Sequence, residues 1–447
     1  MLTTFIAPQA GASIFGRPGG ADMKFEPYWL DTAPAFTGGA QGDLPERADV
    51  VVIGGGFTGL SAALALAKRG ASVVVLEGDR VIGQASGRNG GHCNNGTSQD
   101  FATLTARYGA DRARLFYKAY DAAVESVAGL VASEQIDFDF RRNGKIKLAS
   151  KPEHFAKLEK AYHGLRDNVD PDVELVPANR VRDEVGSDRY YGGLVQHKGS
   201  QMHMGKFGVG LAHAAVRAGA KVYESALVTA LNKQADGSHQ VVTARGTIRA
   251  SQVLLATGCS NVGPFKWWQR RIVPVGSFIV VTEPLSVAQL DRIMPKRRNC
   301  VTTKNIGNYF RTTPDNRLLF GGRARFAMSN PTSDAKSGDI LRAGMHEVFP
   351  ELKNTRLDYC WGGMVDMTAD RLPHAGERDG LFYSMGYSGH GVQMSVHMGG
   401  VMADVINGTP QANPWGEREW PSLPGYSGKP WFLPLAGLYY RMKDVLY

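Results

Sequence analysis

Three glycines at fixed spacing form the first candidate site. Gly54, Gly56 and Gly59 follow an apolar run, Val50 to Ile53, and precede an Ala/Leu-rich stretch. Glycine permits a tight turn at the first position and close approach of backbone N–H groups to a pyrophosphate at the second. At the third position it lets a helix pack closely on a strand. The first-turn N–H groups and the positive end of the helix dipole then face the phosphates, so the spacing predicts a dinucleotide site.

A second apolar run, Val73 to Leu76, ends at Glu77, where an acidic side chain can accept hydrogen bonds from ribose hydroxyls. Phe57 and Thr58 separate the second and third glycines and begin the predicted helix. Small residues continue along this helix to Gly70, a predicted C-cap. This longer spacing resembles the signature of FAD proteins more than that of NAD proteins. Spacing alone leaves the choice between the two nucleotides open.

A second glycine-rich segment, ASGRNGGH, spans residues 85–92. Its glycines let the backbone pass close to a flat ring, and its polar side chains offer hydrogen-bond donors to phosphates and ring edges. A polar surface loop is the alternative interpretation. The candidate cofactor contacts in this segment are Ser86, Arg88, Asn89, Gly90 and Gly91.

A third segment, GYSGHGVQMS at 386–395, predicts a glycine turn followed by a helix that begins after Gly391. The N-terminus of that helix directs N–H groups and a positive dipole end at whatever lies ahead of it. His390 can act as a catalytic base or as a neighbour of the cofactor, or it can simply cap the helix. The candidate cofactor contacts here are Gly389, Gly391, Val392 and Gln393.

An apolar strand in SQVLLATGCS (251–260) ends in small residues, which lets its backbone approach a nucleotide. A simple turn at the strand end explains the pattern equally well. Thr257 and Gly258 are the candidate contacts here. Val228, in an alternating strand that begins at Val222, is a further candidate cofactor contact.

The four motifs IGGGFTG, ASGRNGGH, LLATG and GYSGHGVQMS together resemble those of the FAD-dependent amino acid and amine oxidase family, which includes glycine oxidase and sarcosine oxidase. The resemblance spans most of the chain after residue 45. A Trp-Gly-Gly and the Gly-His-Gly make the sequence most similar to the gamma-glutamylputrescine oxidase branch. FAD is therefore the expected cofactor. Noncovalent binding is expected, because neither Cys360 nor His92 falls at the attachment position of relatives with a covalent flavin.

The resemblance implies oxidation of an amine by hydride transfer from a C–H bond to flavin N5, with a gamma-glutamylputrescine-like substrate favoured. Water then hydrolyses the imine, and oxygen takes the electrons to give hydrogen peroxide. Sarcosine oxidase relatives carry a lysine where this chain has Gln393, and a neutral amide adds no cation beside the reduced flavin. The helix that follows His390 is therefore expected to stabilise the negative charge of the reduced ring.

Trp361, Tyr309 and Arg311 are the candidate residues on the substrate side, and Trp361 joins His390 as a catalytic candidate. Trp361 can form a wall of the substrate pocket, or it can be an ordinary buried tryptophan. Tyr309 and Arg311 share one face of a predicted strand, where the guanidinium can pair bidentately with a substrate carboxylate. The alternative for Arg311 is a surface position beside a hairpin.

The composition describes an enzyme-sized globular chain. It has 447 residues, 43% hydrophobic and 21% charged, and its 4 scattered cysteines indicate neither a disulfide framework nor a metal site. The net charge of +9 permits nucleic-acid binding, but Lys and Arg are spread along the chain and no nucleic acid is expected. The sequence contains neither a recognisable signal peptide nor a membrane-spanning stretch, so a cytoplasmic location is expected.

Two alternatives to an oxidase stay open. The aromatic and aliphatic tail, residues 430–447, favours a flavin-dependent amine dehydrogenase that passes electrons to a quinone or protein acceptor. Packing of this tail on the body of the protein or on a partner subunit is favoured, and contact with a membrane surface is the alternative. The positive charge also permits a tRNA-modifying FAD oxidoreductase.

The order of the predicted elements indicates an α/β fold, in which a Rossmann-type FAD-binding domain carries an inserted antiparallel-sheet (α+β) substrate domain. Helices are predicted within 101–135 and at about 152–168, and hairpins at 136–149, about Arg245-Gly246 and at 306–322. The predicted division is an N-terminal arm (1–45), an FAD-binding domain (46–95, 180–262 and 355–412), a substrate domain (96–179 and 263–354) and a C-terminal tail (413–447).

Overall fold

Two large β-sheets with helices packed on them form the described part of the chain, residues 23–416 and 418–446 of the computed structural model. The predicted mixed α/β class is confirmed. Of the predicted N-terminal arm, residues 1–22 lie outside the described residues.

The first sheet contains the predicted nucleotide-binding unit. Strands Arg47–Ile53, Val73–Leu76 and Gly246–Leu255 are parallel neighbours at its centre. They end in apolar residues that are buried on both faces, as the central strands of a covered parallel sheet are. The strand order is His374–Arg378, Leu381–Met385, Gly246–Leu255, Arg47–Ile53, Val73–Leu76 and Lys221–Tyr223, with His239–Thr243 and Val228–Lys233 as an antiparallel extension.

The helix of the nucleotide-binding unit is covered by other helices. Helix Phe57–Lys68 packs against Met204–Arg217 and Gly391–Ile406, and the latter also packs against Ala110–Glu134. Helix Phe57–Lys68 is buried on most sides, which is why its sequence is rich in alanine and leucine rather than amphipathic.

The second sheet also has eight strands and is mostly antiparallel. Their order is Leu357–Met367, Val273–Thr282, Leu318–Gly322, Asn308–Thr312, Asn299–Thr302, Lys145–Leu148, Gly192–Gln196 and Val173–Pro177. A separate two-stranded ladder pairs His92–Cys93 with Ser200–Gln201.

Further helices complete the described chain. They are Tyr28–Asp31, Ala85–Arg88, Phe101–Tyr108, Pro152–Asn168, Lys266–Gln269, Val287–Ile293, Pro331–Val348 and Leu433–Leu446, with 3₁₀ turns at Ala178–Asp183, Pro350–Leu352 and Pro410–Ala412. None of the helices in the described residues combines the length and the apolarity that crossing a membrane requires.

The hairpin predicted at 136–149 is wrong. Only Lys145–Leu148 forms a strand there, and it pairs with Gly192–Gln196 and Asn299–Thr302 rather than with the residues that precede it. The turn signal is real, since Gly144 has a φ of 70°. The strand that follows it nevertheless finds its partners in distant segments, because tertiary pairing within the second sheet overrides the local signal.

The single strand predicted from 222 to 228 is also wrong. The structure has two strands, Lys221–Tyr223 and Val228–Lys233, separated by a bend in which Ser225 has a φ of 51°. The bend is required because the first strand extends the parallel sheet, whereas the second begins the antiparallel extension.

Other predicted elements are confirmed. Two helices lie within 101–135, one helix covers 152–168, and a hairpin lies within 306–322. The domain boundaries stay a prediction, but two strands that they assign to the FAD-binding domain, Gly192–Gln196 and Leu357–Met367, belong to the second sheet.

Two adjacent glycines in helix Gly391–Ile406 show how tightly the nucleotide-binding unit is packed. A Cβ at Gly399 would lie 2.6 Å from the carbonyl oxygen of Thr58 and 2.7 Å from the Cβ of Ser61. A Cβ at Gly400 would have no such neighbour within 4 Å. Of the two glycines, only Gly399 is therefore required for the close contact with helix Phe57–Lys68.

We expect Gly399→Ala to lower the free energy of unfolding by about 1–3 kcal/mol, since the added methyl group forces the two helices apart. The matched control, Gly400→Ala, should raise it by about 0.5–1 kcal/mol, because alanine is the better helix former. Urea denaturation of both variants measures the difference. Equal effects of the two substitutions would contradict the close helix contact.

Candidate functional site

The motif glycines occupy positions where a side chain has little or no room. Gly54 has a φ of 113°, and a Cβ there would lie 2.5 Å from the carbonyl oxygen of Ala256. A Cβ at Gly59 would lie 2.0 Å from the carbonyl oxygen of Gly54, and one at Gly56 would lie 3.0 Å from the hydroxyl of Ser86. The turn thus brings together two strand ends, the start of the helix and the 85–92 segment.

Glu77 lies beside this turn. Its carboxylate accepts hydrogen bonds from the N–H groups of Gly55 at 2.7 Å and Asp79 at 2.9 Å. Burial raises the pKa of the Glu77 carboxyl group, while these two N–H groups act in the opposite direction. The half-buried carboxylate at the edge of the turn suits hydrogen bonding to ribose hydroxyls.

The candidate contacts from the other strand ends surround the same turn. The N–H of Ala226 donates to the carbonyl of Glu77 at 2.7 Å, which brings the start of the strand at Val228 close to this acid. Thr257 and Gly258 follow directly on the strand end that touches the first glycine, and Gly258 has a φ of 54°. Both remain partly exposed.

The 85–92 segment is joined to the glycine turn through Ser86. Its hydroxyl accepts a hydrogen bond of 3.0 Å from the N–H of Phe57, the first residue of the helix. Asn89 shapes the segment internally, since its side chain donates to the carbonyl of Ser86 at 2.8 Å and accepts from the N–H of Gly91 at 2.8 Å. The side chains of Ser86 and Asn89 therefore stabilise the conformation of the segment.

Three buried side chains from distant parts of the sequence donate hydrogen bonds to carbonyls of this segment, and we call them the loop donors. Each is at most 1% exposed. The pairs are Trp361 Nε1 with the carbonyl of Arg88 at 2.9 Å, Trp29 Nε1 with that of Asn89 at 2.6 Å, and Arg311 Nη1 with that of Gly91 at 2.5 Å. These three hydrogen bonds thus restrain the backbone that the sequence predicts to face a cofactor.

This arrangement corrects the role predicted for Arg311. Instead of facing a substrate carboxylate or the surface, its guanidinium lies in the core and also donates to the carbonyls of Met202 and Thr312, each at 3.0 Å. Burial lowers the pKa of Arg311 to about 9, so the group stays protonated at neutral pH. Trp361 is buried as well, with its indole N–H bound to a carbonyl, as its buried alternative expects, and its predicted catalytic role stays a prediction.

Tyr309 packs directly on the 85–92 segment. A Cβ at Gly90 would lie 2.7 Å from the ring of Tyr309, and this ring meets that of His92 edge-on at a centroid distance of 5.3 Å. Its hydroxyl lies 3.0 Å from that of Ser277. Because Tyr309 stays partly exposed, contact with a substrate remains a prediction for this residue.

Helix Gly391–Ile406 begins where the sequence predicts, with His390 at the N-cap position and Gly389 before it at a φ of 88°. The side chain of His390 makes no capping hydrogen bond, and its ring lies 6.0 Å from that of Tyr120. Burial lowers the pKa of His390 to about 4, and the charge of Lys145 adds to this shift. The imidazole is therefore neutral at pH 7.

The start of this helix is tied to both glycine motifs. Gln393 donates from Nε2 to the carbonyl of Asn94 at 2.5 Å, just beyond the 85–92 segment. On the other side, the hydroxyl groups of Thr58 and Tyr387 lie 2.8 Å apart. Val392, between these contacts, is 9% exposed. The glycine turn, the 85–92 segment and the start of this helix thus meet in one place.

Four buried polar atoms in this place have no hydrogen-bond partner among the described residues. They are His92 Nε2, Asn95 Oδ1, His390 Nδ1 and Gln393 Oε1. Buried polar atoms in proteins are nearly always paired. A flavin ring carries both donors and acceptors along its edges, so these atoms fit FAD, as do the glycine turn and the acid beside it.

A cluster of basic side chains that the sequence analysis missed faces His390. Lys145, Lys147 and Arg323, which we call the basic wall, each contribute to the lowered pKa of this histidine. Burial lowers the pKa of all three groups, that of Lys145 to about 7, although Lys147 is exposed and the other two are partly exposed. Lys145 lies close to the start of helix Gly391–Ile406, since its Nζ donates to the carbonyl of Asn95 and Gln393 donates to the neighbouring carbonyl of Asn94. The sequence feature that could have revealed this cluster is Lys-Ile-Lys, an alternation that places both lysines on the same face of a strand.

Comparison with known proteins assigns the family. Residues 49–405 match the DAO family of FAD dependent oxidoreductases, and the chain belongs to this family. The predicted family and the predicted enzyme class, an oxidoreductase, are confirmed.

Two curated relatives cover most of the chain. The chain is 34% identical to gamma-glutamylputrescine oxidoreductase of Escherichia coli (strain K12), with 89% of this chain and 93% of the relative covered. It is 26% identical to glycine oxidase of Bacillus licheniformis, with 83% of this chain and 96% of the relative covered.

Solved structures share the fold. An L-amino acid deaminase from Proteus myxofaciens superposes with a TM-score of 0.70 at 19% identity, covering 86% of this chain and 95% of the other. A glycine oxidase from Geobacillus kaustophilus superposes with a TM-score of 0.65 at 23% identity, covering 81% and 95%.

Proposed function

We propose that this protein oxidises an amine that carries a carboxylate group, with a gamma-glutamylputrescine-like compound as the favoured substrate. Oxygen is the proposed electron acceptor, and FAD is held noncovalently. The observation that carries the proposal is the basic wall, whose charges act on His390 and whose Lys145 binds the carbonyl of Asn95, next to the Asn94 carbonyl that Gln393 binds. The identity of 34% with gamma-glutamylputrescine oxidoreductase supports it.

In the proposed reaction, the amine loses a hydride and a proton and becomes an imine. Water hydrolyses the imine to an aldehyde and releases an amine or ammonia. Oxygen gains the two electrons and two protons and leaves as hydrogen peroxide. Bound FAD supplies the two-electron chemistry that amino-acid side chains lack.

The residues that would hold FAD are the glycine turn at 54–59, Glu77, the 85–92 segment and the start of helix Gly391–Ile406. The N–H groups at that helix end favour negative charge ahead of them. Noncovalent binding is supported by Cys360, whose thiol is 0% exposed and donates to a backbone carbonyl at 3.4 Å. Burial raises the pKa of this thiol to about 12, so it stays protonated and unreactive.

The basic wall has two tasks in this proposal. Its cations pair with the substrate carboxylate, and Arg323 keeps its charge at every physiological pH. The same positive charges disfavour a second cation nearby, so they lower the pKa of the substrate amine and favour its reactive neutral form. Neutral His390 adds no competing charge.

We expect gamma-glutamylputrescine to bleach the flavin of the purified protein under anaerobic conditions, and peroxide to appear when air is admitted. Lys147→Gln should raise KM for this substrate about tenfold, the value of one charge-assisted hydrogen bond. KM for putrescine, which lacks the carboxylate, should change less, because only the effect of this charge on the pKa of the amine remains. Lys160→Gln, at an exposed lysine on helix Pro152–Asn168, is the matched control. Failure of gamma-glutamylputrescine, N-methyl amino acids and simple amines alike to bleach the flavin would contradict the proposal.

A pH dependence follows from Lys145. With a pKa of about 7, this lysine is charged below neutrality and loses its charge as the pH rises. Attraction of the carboxylate should weaken in the same range, so the ratio of KM for gamma-glutamylputrescine to KM for putrescine should increase above pH 7. Both compounds carry the amine, so the effect of its protonation on KM cancels in the ratio. A flat ratio in the wild type, or an unchanged slope in Lys145→Gln, would exclude this role.

An amine dehydrogenase that uses a quinone or protein acceptor is the second candidate. The observation that favours it is the exposed apolar side of helix Leu433–Leu446. An oxygen electrode separates the two candidates. An oxidase consumes one oxygen molecule per amine, whereas a dehydrogenase bleaches anaerobically and turns over rapidly only with an added acceptor.

A further inference from the structure

Helix Leu433–Leu446 has an inner side that is fixed to the body of the protein. Gly437 lies against the ring of Phe326, where a Cβ would come within 3.0 Å of the Phe326 side chain. Tyr440 stacks on the same ring at a centroid distance of 5.4 Å. Asp444 accepts hydrogen bonds of 2.7 Å from two backbone N–H groups of a neighbouring turn. The helix is thus held in one orientation.

The opposite side of this helix is apolar and exposed. Its large side chains recur at intervals of three and four residues, which puts them on one stripe of an α-helix. We call this the outer stripe: Leu435 (65% exposed), Leu438 (58%), Tyr439 (58%), Met442 (54%), Val445 (78%) and Leu446 (70%). Trp431, just before the helix, is 70% exposed. Scattered exposed leucines are ordinary in proteins, but a contiguous stripe of this kind marks an interaction surface.

Basic residues border the outer stripe on both sides. At about 100° per residue, Arg441 falls on one flank of the stripe and Lys443 on the other. Both are exposed. The acidic residue of the helix, Asp444, points to the inner side, where its carboxylate accepts hydrogen bonds from backbone N–H groups. The outward side therefore combines apolar and positive character.

We propose that the outer stripe docks on the surface of an anionic lipid bilayer. An apolar stripe with cations on its flanks is the pattern of helices that lie in the interface plane, where the apolar groups enter the acyl boundary and the cations meet the headgroups. Trp431 and Tyr439 are residue types that favour this boundary. The net charge of +9 favours an anionic surface over a second copy of the chain, which would bring like charges together. The proposal does not depend on the substrate.

The test uses the full chain with bound FAD and vesicles floated on a density gradient. We expect binding to vesicles of phosphatidylcholine with phosphatidylglycerol, weaker binding to phosphatidylcholine alone, and release by salt. Leu438→Ser/Met442→Ser should lower the partition coefficient more than about tenfold, since two apolar side chains leave the lipid. Val287→Ser/Ile340→Ser is the matched control, because these side chains are 60% and 46% exposed elsewhere on the surface.

A second variant tests the charges. Arg441→Gln/Lys443→Gln should lower binding to anionic vesicles and reduce its salt dependence, while flavin absorbance and thermal melting show that the fold is intact. Three results would overturn the proposal: no vesicle binding by the wild type, equal binding by the stripe and control variants, or a wild-type dimer that the stripe variant converts to a monomer.

Discussion

Hydrogen bonds from three buried side chains to one short stretch of backbone are the interaction on which the site depends. Trp29 lies on the first described helix, whereas Arg311 and Trp361 belong to two strands of the second sheet. A buried carbonyl left without a donor costs about 1–3 kcal/mol, so each bond restrains the 85–92 segment. The segment is tied at its other end to helix Phe57–Lys68 in the first sheet's domain. One stretch of chain therefore couples the two sheets.

That coupling has a functional consequence, because each sheet supplies a different part of the candidate site. The first supplies the glycine turn and Glu77, and the second supplies Tyr309 and the two lysines of the basic wall. Both meet at the 85–92 segment and the start of helix Gly391–Ile406. In the proposed function, cofactor binding and substrate recognition therefore share a boundary, and a shift of this segment would alter both together. The electrostatics agree with an anionic substrate, since the histidine is neutral and its neighbours are positive.

The sequence predicted local features such as turns and helices, but it did not predict which distant segments pair with one another. The glycine turn and its helix follow from spacing alone, whereas the choice of FAD came from the resemblance of four separated motifs. The buried position of Arg311 was missed, and that of Trp361 was only one of two alternatives, because their hydrogen-bond partners lie 220 and 273 residues away in the sequence. The basic wall was missed for a related reason. Strand Lys145–Leu148 pairs with two distant strands, and tertiary packing overrode the local hairpin signal.

The central claim is that buried donors hold the 85–92 segment in the shape that binds FAD, and titration of FAD into three chains tests it most directly. Trp361→Phe keeps an aromatic ring, though a smaller one, and removes the donor, while Trp268→Phe makes the same change at an indole N–H that has no partner among the described residues. We predict that the wild type releases one noncovalent FAD on denaturation, that Trp361→Phe binds FAD about fivefold or more weakly, and that Trp268→Phe matches the wild type. Equal affinity in all three chains, or a wild type that neither contains nor takes up FAD, would contradict the account.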